Sequence, residues 1–288
     1  MAALPLLHFF CMLLYLAMSV YVVSRNSRAW VNRYCALVLV SFALWCLGKI
    51  VIHQPDCPVS MAHFFQNIVI VGAWGFSSFL LLFTLAFTGR DRLLSFPWLY
   101  PAVFLLPAAA IWVQWTQGKL LAYVPRTYGW GLAWQPTWLT RILLAYIFIS
   151  ALLAAILALA YSWRTTDVFR RKGGAIIGVS IILGLVLGFA TNIIGPSLVD
   201  FDLPDMGHNL GVFWTAGLVF AISRYGLLTI NPAAAADQIL ETMSDALLLA
   251  DTEGRIVDIN RAGRDLCGYP LLALKGRSLA TLIRDRDQ

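Results

Sequence analysis

The sequence predicts an all-α polytopic membrane protein: a seven-transmembrane helix bundle with its N-terminus outside, followed by a small α+β domain. Of its 288 residues, 60% are hydrophobic and 12% are charged, and the mean hydropathy of +0.75 is far above that of a soluble domain. The apolar residues form seven runs, long enough to cross a hydrocarbon core of about 30 Å. After residue 224 the sequence becomes polar.

The predicted spans are 4–23, 34–52, 61–88, 96–113, 138–162, 173–194 and 209–223. Each is predicted to be a helix, because a strand or coil in lipid would leave backbone N–H and C=O groups without partners. The first span lacks the basic leader and the small-residue cleavage site of a secretory signal, so it is expected to remain as an uncleaved helix.

Basic residues predict the orientation, because Lys and Arg are retained on the cytoplasmic side. Ten of them flank alternate spans on one side: Arg25, Arg28, Arg33, Arg90, Arg92, Arg164, Arg170, Arg171, Lys172 and Arg224. The other side has four: Lys49, Lys119, Arg126 and Arg141. The tail is therefore expected in the cytoplasm. This asymmetry accounts for the net charge of +6 through contact with inner-leaflet lipid, without nucleic acid as a partner.

The longest outer loop, 114–137, contains two short aromatic or β-branched runs around a turn, which predicts a hairpin over the mouth of the bundle. Tryptophans cluster in and beside this loop: Trp112, Trp115, Trp130, Trp134 and Trp138. They are interpreted as an interfacial aromatic belt, with an aromatic wall for a ligand as the alternative.

All four histidines, His8, His53, His63 and His208, lie near the outer ends of spans. None forms the i, i+4 pair of a helical zinc site, so no metal is predicted. Ordinary helix-end polarity is the favoured interpretation, and a pH sensor is the alternative.

Polar side chains in the outer half of the bundle are the candidates for ligand binding, because an amide in lipid is costly unless it faces other helices or a cavity. The candidates are His63, Gln66, Asn67, Trp112, Trp130, Asn192, His208 and Asn209. The alternative is that the amides only form interhelical hydrogen bonds. Gly184 and Gly188 are predicted to allow close helix approach. The five cysteines are predicted to be free thiols, because only Cys57 lies in an outer loop.

Several functional classes fit poorly. The seventh span has no lysine to hold retinal, which argues against an opsin. No span has an ionisable residue at its centre, which argues against an ion-coupled transporter. No catalytic motif is present, so no catalytic residue is predicted.

The tail begins with "PAAAADQILETMSDA", which predicts a helix starting near Pro232 with Ile239, Leu240 and Met243 on one apolar stripe. Such a stripe favours pairing with a second copy. Arg224, at the end of the seventh span, and these four residues are therefore predicted to transmit a signal. The expected divisions are a bundle over 1–224, a linker and signalling helix over 225–243, and the α+β domain over 244–288.

The remainder predicts two strands around "TEG", a helix capped by Asn260, and a short helix over "KGRSLATLI". The pattern "MSDALLLADTEGRIVDINRAGRDLCGY" resembles the first half of a PAS sensor domain, over residues 237–288. The resemblance implies that the domain is incomplete within these residues. No PAS cofactor is assigned, because the cysteine-bearing flavin signature is not visible around Cys267.

The join "SRYGLLTINPAAAADQILETMSDALLLAD", with the span count and the outer "YGWG", resembles the seven-transmembrane input region of bacterial sensor histidine kinases. The resemblance implies a dimeric input module in the bacterial inner membrane that detects an unknown small-molecule or membrane stimulus. A histidine kinase output and a response regulator partner are implied. The alternatives are the input module of a diguanylate cyclase, or a solute-binding or transport protein with a regulatory tail.

Overall fold

The computed structural model describes residues 3–194, 204–225, 239–269 and 271–279. The chain divides into two units, 1–229 and 230–288, each of which has its own internal contacts.

The described residues of the first unit form seven apolar helices that overlap the seven predicted spans. Six are long enough to cross a membrane, and the seventh has a shorter apolar stretch over Gly207–Ile222. Their bounds, with one four-residue helix between the third and fourth spans, are α1 (Ala3–Arg25), α2 (Trp30–Ile52), α3 (Val59–Phe87), α4 (Asp91–Leu94), α5 (Leu99–Gln117), α6 (Trp138–Arg164), α7 (Val168–Phe189) and α8 (Gly207–Tyr225).

Helices α2 and α3 form the centre of the bundle. In their most apolar stretches 67% and 78% of residues are buried, whereas the other long helices bury 22–33%. Helix α1 packs on α2, α6 packs on α3 and α7, and α8 packs on α7, α1 and α2. The apolar side chains that face outward, such as Phe10, Leu105 and Ile149, are then available to lipid.

Glycines bring the central helices close together, as van der Waals packing in lipid favours. A Cβ atom on Gly72 would lie far inside the contact distance of the Ser41 carbonyl oxygen. Gly174 and Gly178 play this role between α7 and the alanine-lined face of α6. The prediction for Gly184 was wrong within the described residues, where nothing lies within 4 Å of a Cβ at that position; for Gly188 the nearest described atom is the Cα of Gly207, 3.9 Å away.

The predicted hairpin is present and covers one end of the bundle, which we call the hairpin end. Strands β1 (Leu121–Arg126) and β2 (Gly129–Trp134) pair antiparallel with Leu121 opposite Trp134. The buried side chains of Leu120 and Leu121 pack with Ile52, Ile70 and other residues of α2, α3 and α6. The hairpin is therefore joined to the apolar core beneath it.

The second unit contains β3 (Leu248–Ala250), β4 (Ile256–Ile259), α9 (Arg261–Cys267) and α10 (Leu271–Leu274). The two strands form the predicted hairpin, with Gly254 at φ +75 in its turn, and the Asn260 side chain caps α9 as expected. The prediction of a helix over "KGRSLATLI" was wrong for its described part. Residues 275–279 form a turn and a bridge between Ser278 and Arg255 instead.

The predicted signalling helix is described only at its end, where residues 239–242 are helical. Pro232 lies outside the described residues. All five cysteines are free thiols, as predicted.

Candidate functional site: a buried polar network beside an aromatic cavity

An ion pair lies at the hairpin end of the bundle, where Lys49 Nζ is 2.8 Å from Asp205 Oδ1. The Lys49 side chain is fully buried, and the Asp205 side chain keeps 21% of its exposure. Burial disfavours the charged carboxylate, but the Lys49 ammonium and then His53 outweigh this and lower the pKa of Asp205 below its usual value. The Asp205 carboxylate therefore remains charged near neutral pH.

Three histidines continue from this ion pair as a chain of buried imidazoles. His53 Nε2 lies 3.4 Å from Asp205 Oδ1, and His53 Nδ1 lies 2.9 Å from His8 Nε2. His8 Nδ1 lies 3.0 Å from His208 Nε2 and 3.1 Å from the Asn209 amide nitrogen. All three rings are fully buried, so this is an internal hydrogen-bond network rather than the helix-end polarity that the sequence favoured.

One set of proton positions satisfies these contacts, and it is assigned from the network. If His53 Nε2–H faces Asp205, in a charge contact and not an aligned hydrogen bond, then His53 Nδ1 accepts from His8 Nε2–H, and His8 Nδ1 accepts from His208 Nε2–H. His208 Nδ1 is then unprotonated, and no partner for it exists among the described residues. Burial, and then the Lys49 ammonium, lower the pKa of His53, which favours the neutral ring.

The network joins three helices that are far apart in sequence. His8 belongs to α1, Lys49 lies in α2 and His53 follows it, while His208 and Asn209 belong to the first turn of α8. The hydroxyl of Tyr15 in α1 also donates to the carbonyl oxygen of His208, at 2.5 Å. Any movement of the start of α8 therefore acts directly on this network.

A cavity of about 230 Å³ adjoins the network beneath the hairpin. Its walls are mainly apolar and come from α2, α3, α6, α7, α8 and the hairpin, and they include the aromatic side chains of Phe42, Trp45, Trp74, Phe76, Trp134 and Trp214. Asp205 lines the same cavity, so one carboxylate belongs both to the cavity wall and to the histidine network. Gly184 and Gly188 also line it, which explains why no helix packs closely against Gly184 in the described part of the chain.

Three buried polar atoms of cavity-lining residues have no hydrogen-bond partner in the described part of the chain. They are the indole nitrogens Nε1 of Trp45 and Trp214 and the amide oxygen Oε1 of Gln66. A buried polar group without a partner costs about 1–3 kcal/mol, so a bound molecule or water that pairs with these atoms would be stabilised.

The wall of the cavity contains an irregular helical segment next to the start of α8. Residues Ala190–Ile194 form a π-helix at the end of α7, a feature that is frequent at functional sites. From this segment, Asn192 Oδ1 accepts a hydrogen bond of 3.0 Å from the backbone N–H of Gly207. The cavity wall is thus connected to the start of α8 both through Asp205 and the histidine network and through the hydrogen bond from Gly207 to Asn192.

The structure divides the predicted ligand-binding residues among several places. Gln66 and Asn192 line the cavity, whereas His208 and Asn209 belong to the network. His63 and Asn67 line a separate surface groove beside the hairpin with Gln114 and Trp115. Trp112 is 67% exposed on the outside of α5, and the Trp130 indole donates to the Cys57 carbonyl oxygen at 2.8 Å.

Four residues of this site are not among the ligand-binding candidates predicted from the sequence: Lys49, Asp205, Trp45 and Trp214. Lys49 had a visible signal, because it lies inside an apolar run where a cation is costly without a partner. Asp205 is 156 residues away from Lys49, and only the fold brings the two together. Within the described residues, no group of His, Cys, Asp and Glu has the arrangement of a metal site.

In the second unit, the end of the signalling helix is attached to the strands by Asn260. Its amide nitrogen donates to the carbonyl oxygens of Leu240 and Asp245, both at 2.9 Å, and its amide oxygen accepts from the N–H groups of Leu247 and Gly263.

An ion pair adds a second attachment between the same elements, because Arg264 in α9 contacts both carboxylate oxygens of Glu241 at 3.1 and 2.7 Å. These hydrogen bonds lower the pKa of Glu241. Movement of the helix at 239–242 would therefore act on the start of α9 through Asn260 and Arg264.

Comparison with known protein families agrees with the order of a seven-helix bundle followed by a small α+β domain. Residues 7–232 match the family described as the N-terminal 7TM region of histidine kinase. The chain belongs to this family. Residues 237–288 match the PAS domain family, so the seven-transmembrane input region of a histidine kinase is followed by a PAS domain, as the sequence predicted. Neither a curated protein nor a solved structure matches the chain.

This histidine kinase input region is the sensory part of a two-component system, whose signalling partner is a response regulator. Its apolar helices make it a membrane protein. The π-helix, the aromatic cavity and the polar network all lie at the hairpin end of this sensory bundle.

Proposed function

We propose that this histidine kinase input region detects a small molecule that enters the aromatic cavity beneath the hairpin. The observation that carries this proposal is that the cavity shares Asp205 and Gly207 with the elements that hold the start of α8. Helix α8 is the span that leads into the PAS domain, so a ligand in this cavity would act at the beginning of the output path.

The proposed mechanism is a shift between two positions of α8. A ligand that contacts Asn192, Asp205 or Gly207 would alter the hydrogen bonds that hold α8 to α7, α2 and α1. A ligand changes such an equilibrium only through different affinities for the two positions. The shift would pass through Arg224 and Pro232 into the helix at 239–242, and from there to α9 through Asn260 and Arg264.

Filling the cavity should block this response without unfolding the bundle. Gly184→Leu places a side chain in the cavity, because Gly184 lines it and no atom of the described residues lies within 4 Å of its Cβ position. We expect the variant to have the thermal stability of the wild type. Compounds from a library of neutral apolar molecules that raise the Tm of the wild type should no longer raise the Tm of the variant. These compounds should also lose their effect on autophosphorylation of the kinase that carries this region.

The matched control is Val186→Leu on the outward face of the same helix, where the wild-type side chain is 58% exposed. It should respond to ligand as the wild type does. An undiminished ligand response of a folded Gly184→Leu variant would contradict the proposed role of the cavity.

The orientation and the dimer are proposals as well: we infer that the hairpin end faces the outside of the bacterial inner membrane and that two tails pair through the signalling helix in the cytoplasm. The excess of Lys and Arg on the other side supports the orientation. Ile239 supports the pairing, because its apolar side chain is 61% exposed at the end of that helix.

One variant tests both the orientation and the pairing. With Cys57 and Cys267 changed to Ser, Ile239→Cys is expected to react with a membrane-impermeant maleimide in inverted vesicles only, and to form a disulfide-linked dimer under mild oxidation. Leu249→Cys, at a position 54% exposed on β3, should be labelled equally but should not cross-link. Labelling in right-side-out vesicles would refute the orientation, and a monomeric Ile239→Cys product would refute the pairing.

A further inference from the structure

The residues that carry the three unpartnered polar atoms of the cavity are attached at similar depths in the bundle. Trp45 is seven residues before the end of α2, Gln66 is seven residues after the start of α3, and Trp214 is seven residues after the start of α8. These three helix ends all lie at the hairpin end. At about 1.5 Å per residue, each side chain is attached about 10 Å below that end.

The three atoms differ in what they require. The indole nitrogens of Trp45 and Trp214 are donors only, and the amide oxygen of Gln66 is an acceptor. A hydroxyl group supplies the complement, because it donates one hydrogen bond and accepts up to two. A carbonyl oxygen would pair with the indoles but leave the Gln66 oxygen without a donor, and an ether would do the same.

The charges around the cavity argue for a neutral molecule. The Asp205 carboxylate is already paired with the Lys49 ammonium, so it does not require a cationic ligand. Among the described lining residues, Arg126 carries the only cationic side chain, and it is an exposed residue of the hairpin. Moving a charged group into the apolar, aromatic interior of the cavity would therefore cost free energy.

We infer that the cavity binds a neutral, largely apolar molecule through one hydroxyl group, as a phenol or an apolar alcohol would be bound. The hydroxyl donates to Gln66 Oε1 and accepts from the indole N–H groups of Trp45 and Trp214, while the aromatic side chains contact the apolar body. This inference rests on the proposed function, because it assumes that the cavity is the ligand site, and it adds the chemical class of the ligand.

The test compares two probes of the same shape, 4-ethylphenol and 4-ethyltoluene, with the detergent-solubilised chain. Apparent affinities come from the dose dependence of Tm at one detergent concentration. We expect 4-ethylphenol to bind at least about tenfold more tightly, since pairing a buried polar group is worth about 1–3 kcal/mol. In Gln66→Leu this preference should fall to about threefold or less, mainly through weaker binding of the phenol.

Asn67→Leu is the matched control, because the neighbouring residue lines the surface groove and not the cavity. It should keep the full preference. Trp45→Phe provides a second variant, which removes one donor from a half-buried position and should also reduce the preference.

The outcomes separate the two proposals. Equal binding of both probes to the wild type overturns the hydroxyl inference but leaves the cavity as a ligand site, as would be expected if water held the three polar atoms. A preference that is unchanged in Gln66→Leu also overturns the inference. Binding of neither probe overturns the inference and removes the support for the cavity as the sensor site.

Discussion

Replacing Gly72 with alanine is expected to destabilise the bundle more than any other single-methyl change in α3. The new Cβ would overlap the carbonyl oxygen of Ser41 and lie 3.0 Å from the backbone nitrogen of Trp45. Both atoms belong to the backbone of α2, so relief requires the two central helices to separate. Overpacking of this kind costs about 1–3 kcal/mol and occasionally more, and thermal unfolding in detergent should show a clear fall in Tm.

Gly75→Ala is the control in the same helix. Its Cβ would meet only the Phe79 ring at 3.8 Å, which is ordinary contact. Since alanine also favours the helix by up to about 1 kcal/mol over glycine, Tm should stay the same or rise slightly. Equal stability of the two variants would show that α2 and α3 are not held at the distance that the structure gives.

Removing the carboxylate of Asp205 is expected to have the second large effect. Asp205→Asn leaves the fully buried Lys49 ammonium without its counter-charge. Breaking a buried pair from one side costs about 3–5 kcal/mol, and we expect the lower end because the Asp205 side chain keeps some exposure. The measurement is the Tm of the purified chain, together with the yield of folded protein.

The double variant Lys49→Met, Asp205→Asn tests why Asp205→Asn loses stability. Removing both charges should recover most of the lost stability, because the cost arises from the unpaired cation and not from loss of the pair itself. Lys49→Met alone should cost less than Asp205→Asn, since a partly exposed carboxylate retains access to water. If the double variant were as unstable as the sum of the single variants, this account would be wrong.

Arg170→Met is the surface control for that cycle. Arg170 and Asp167 form an exposed ion pair, with 63% and 48% of their side chains accessible. Such pairs contribute about 0–1 kcal/mol, so Tm should hardly change. A fall in Tm comparable to that of Asp205→Asn would mean that charge removal at any site destabilises the chain.

The sensor class of this protein was predictable from local sequence properties. Run length and hydropathy predicted the seven helices, since the cost of unpaired backbone groups in lipid leaves little choice of structure. The glycine turn at Gly254 and the cap at Asn260 identified the strands and the helix that follows them, because these residues act on their own neighbours. The resemblance to histidine kinase input regions followed from the same stretches, and the family match confirms it.

The predictions that were wrong depended on distant contacts. The glycine at 184 has the same local spacing as a packing glycine, but whether another helix faces it depends on how α7 and α8 are placed. Similarly, "KGRSLATLI" has no strong helix-breaking residue after Gly276, yet pairing of Ser278 with Arg255 gives residues 275–279 a different conformation. Local propensity is weaker than such tertiary contacts.

The sequence by itself determined which segments lie in lipid and which lie in water. It also determined the seven spans, the hairpin and the PAS-like tail, because these follow from interactions between residues close in the chain. Only the tertiary structure decided which polar residues meet. It joined His8, His53 and His208 into one network, paired Lys49 with Asp205, and placed Trp45, Gln66 and Trp214 around one cavity. The physical reason is that a buried polar group must find its partner in space, and the partner's position along the chain carries no local signal.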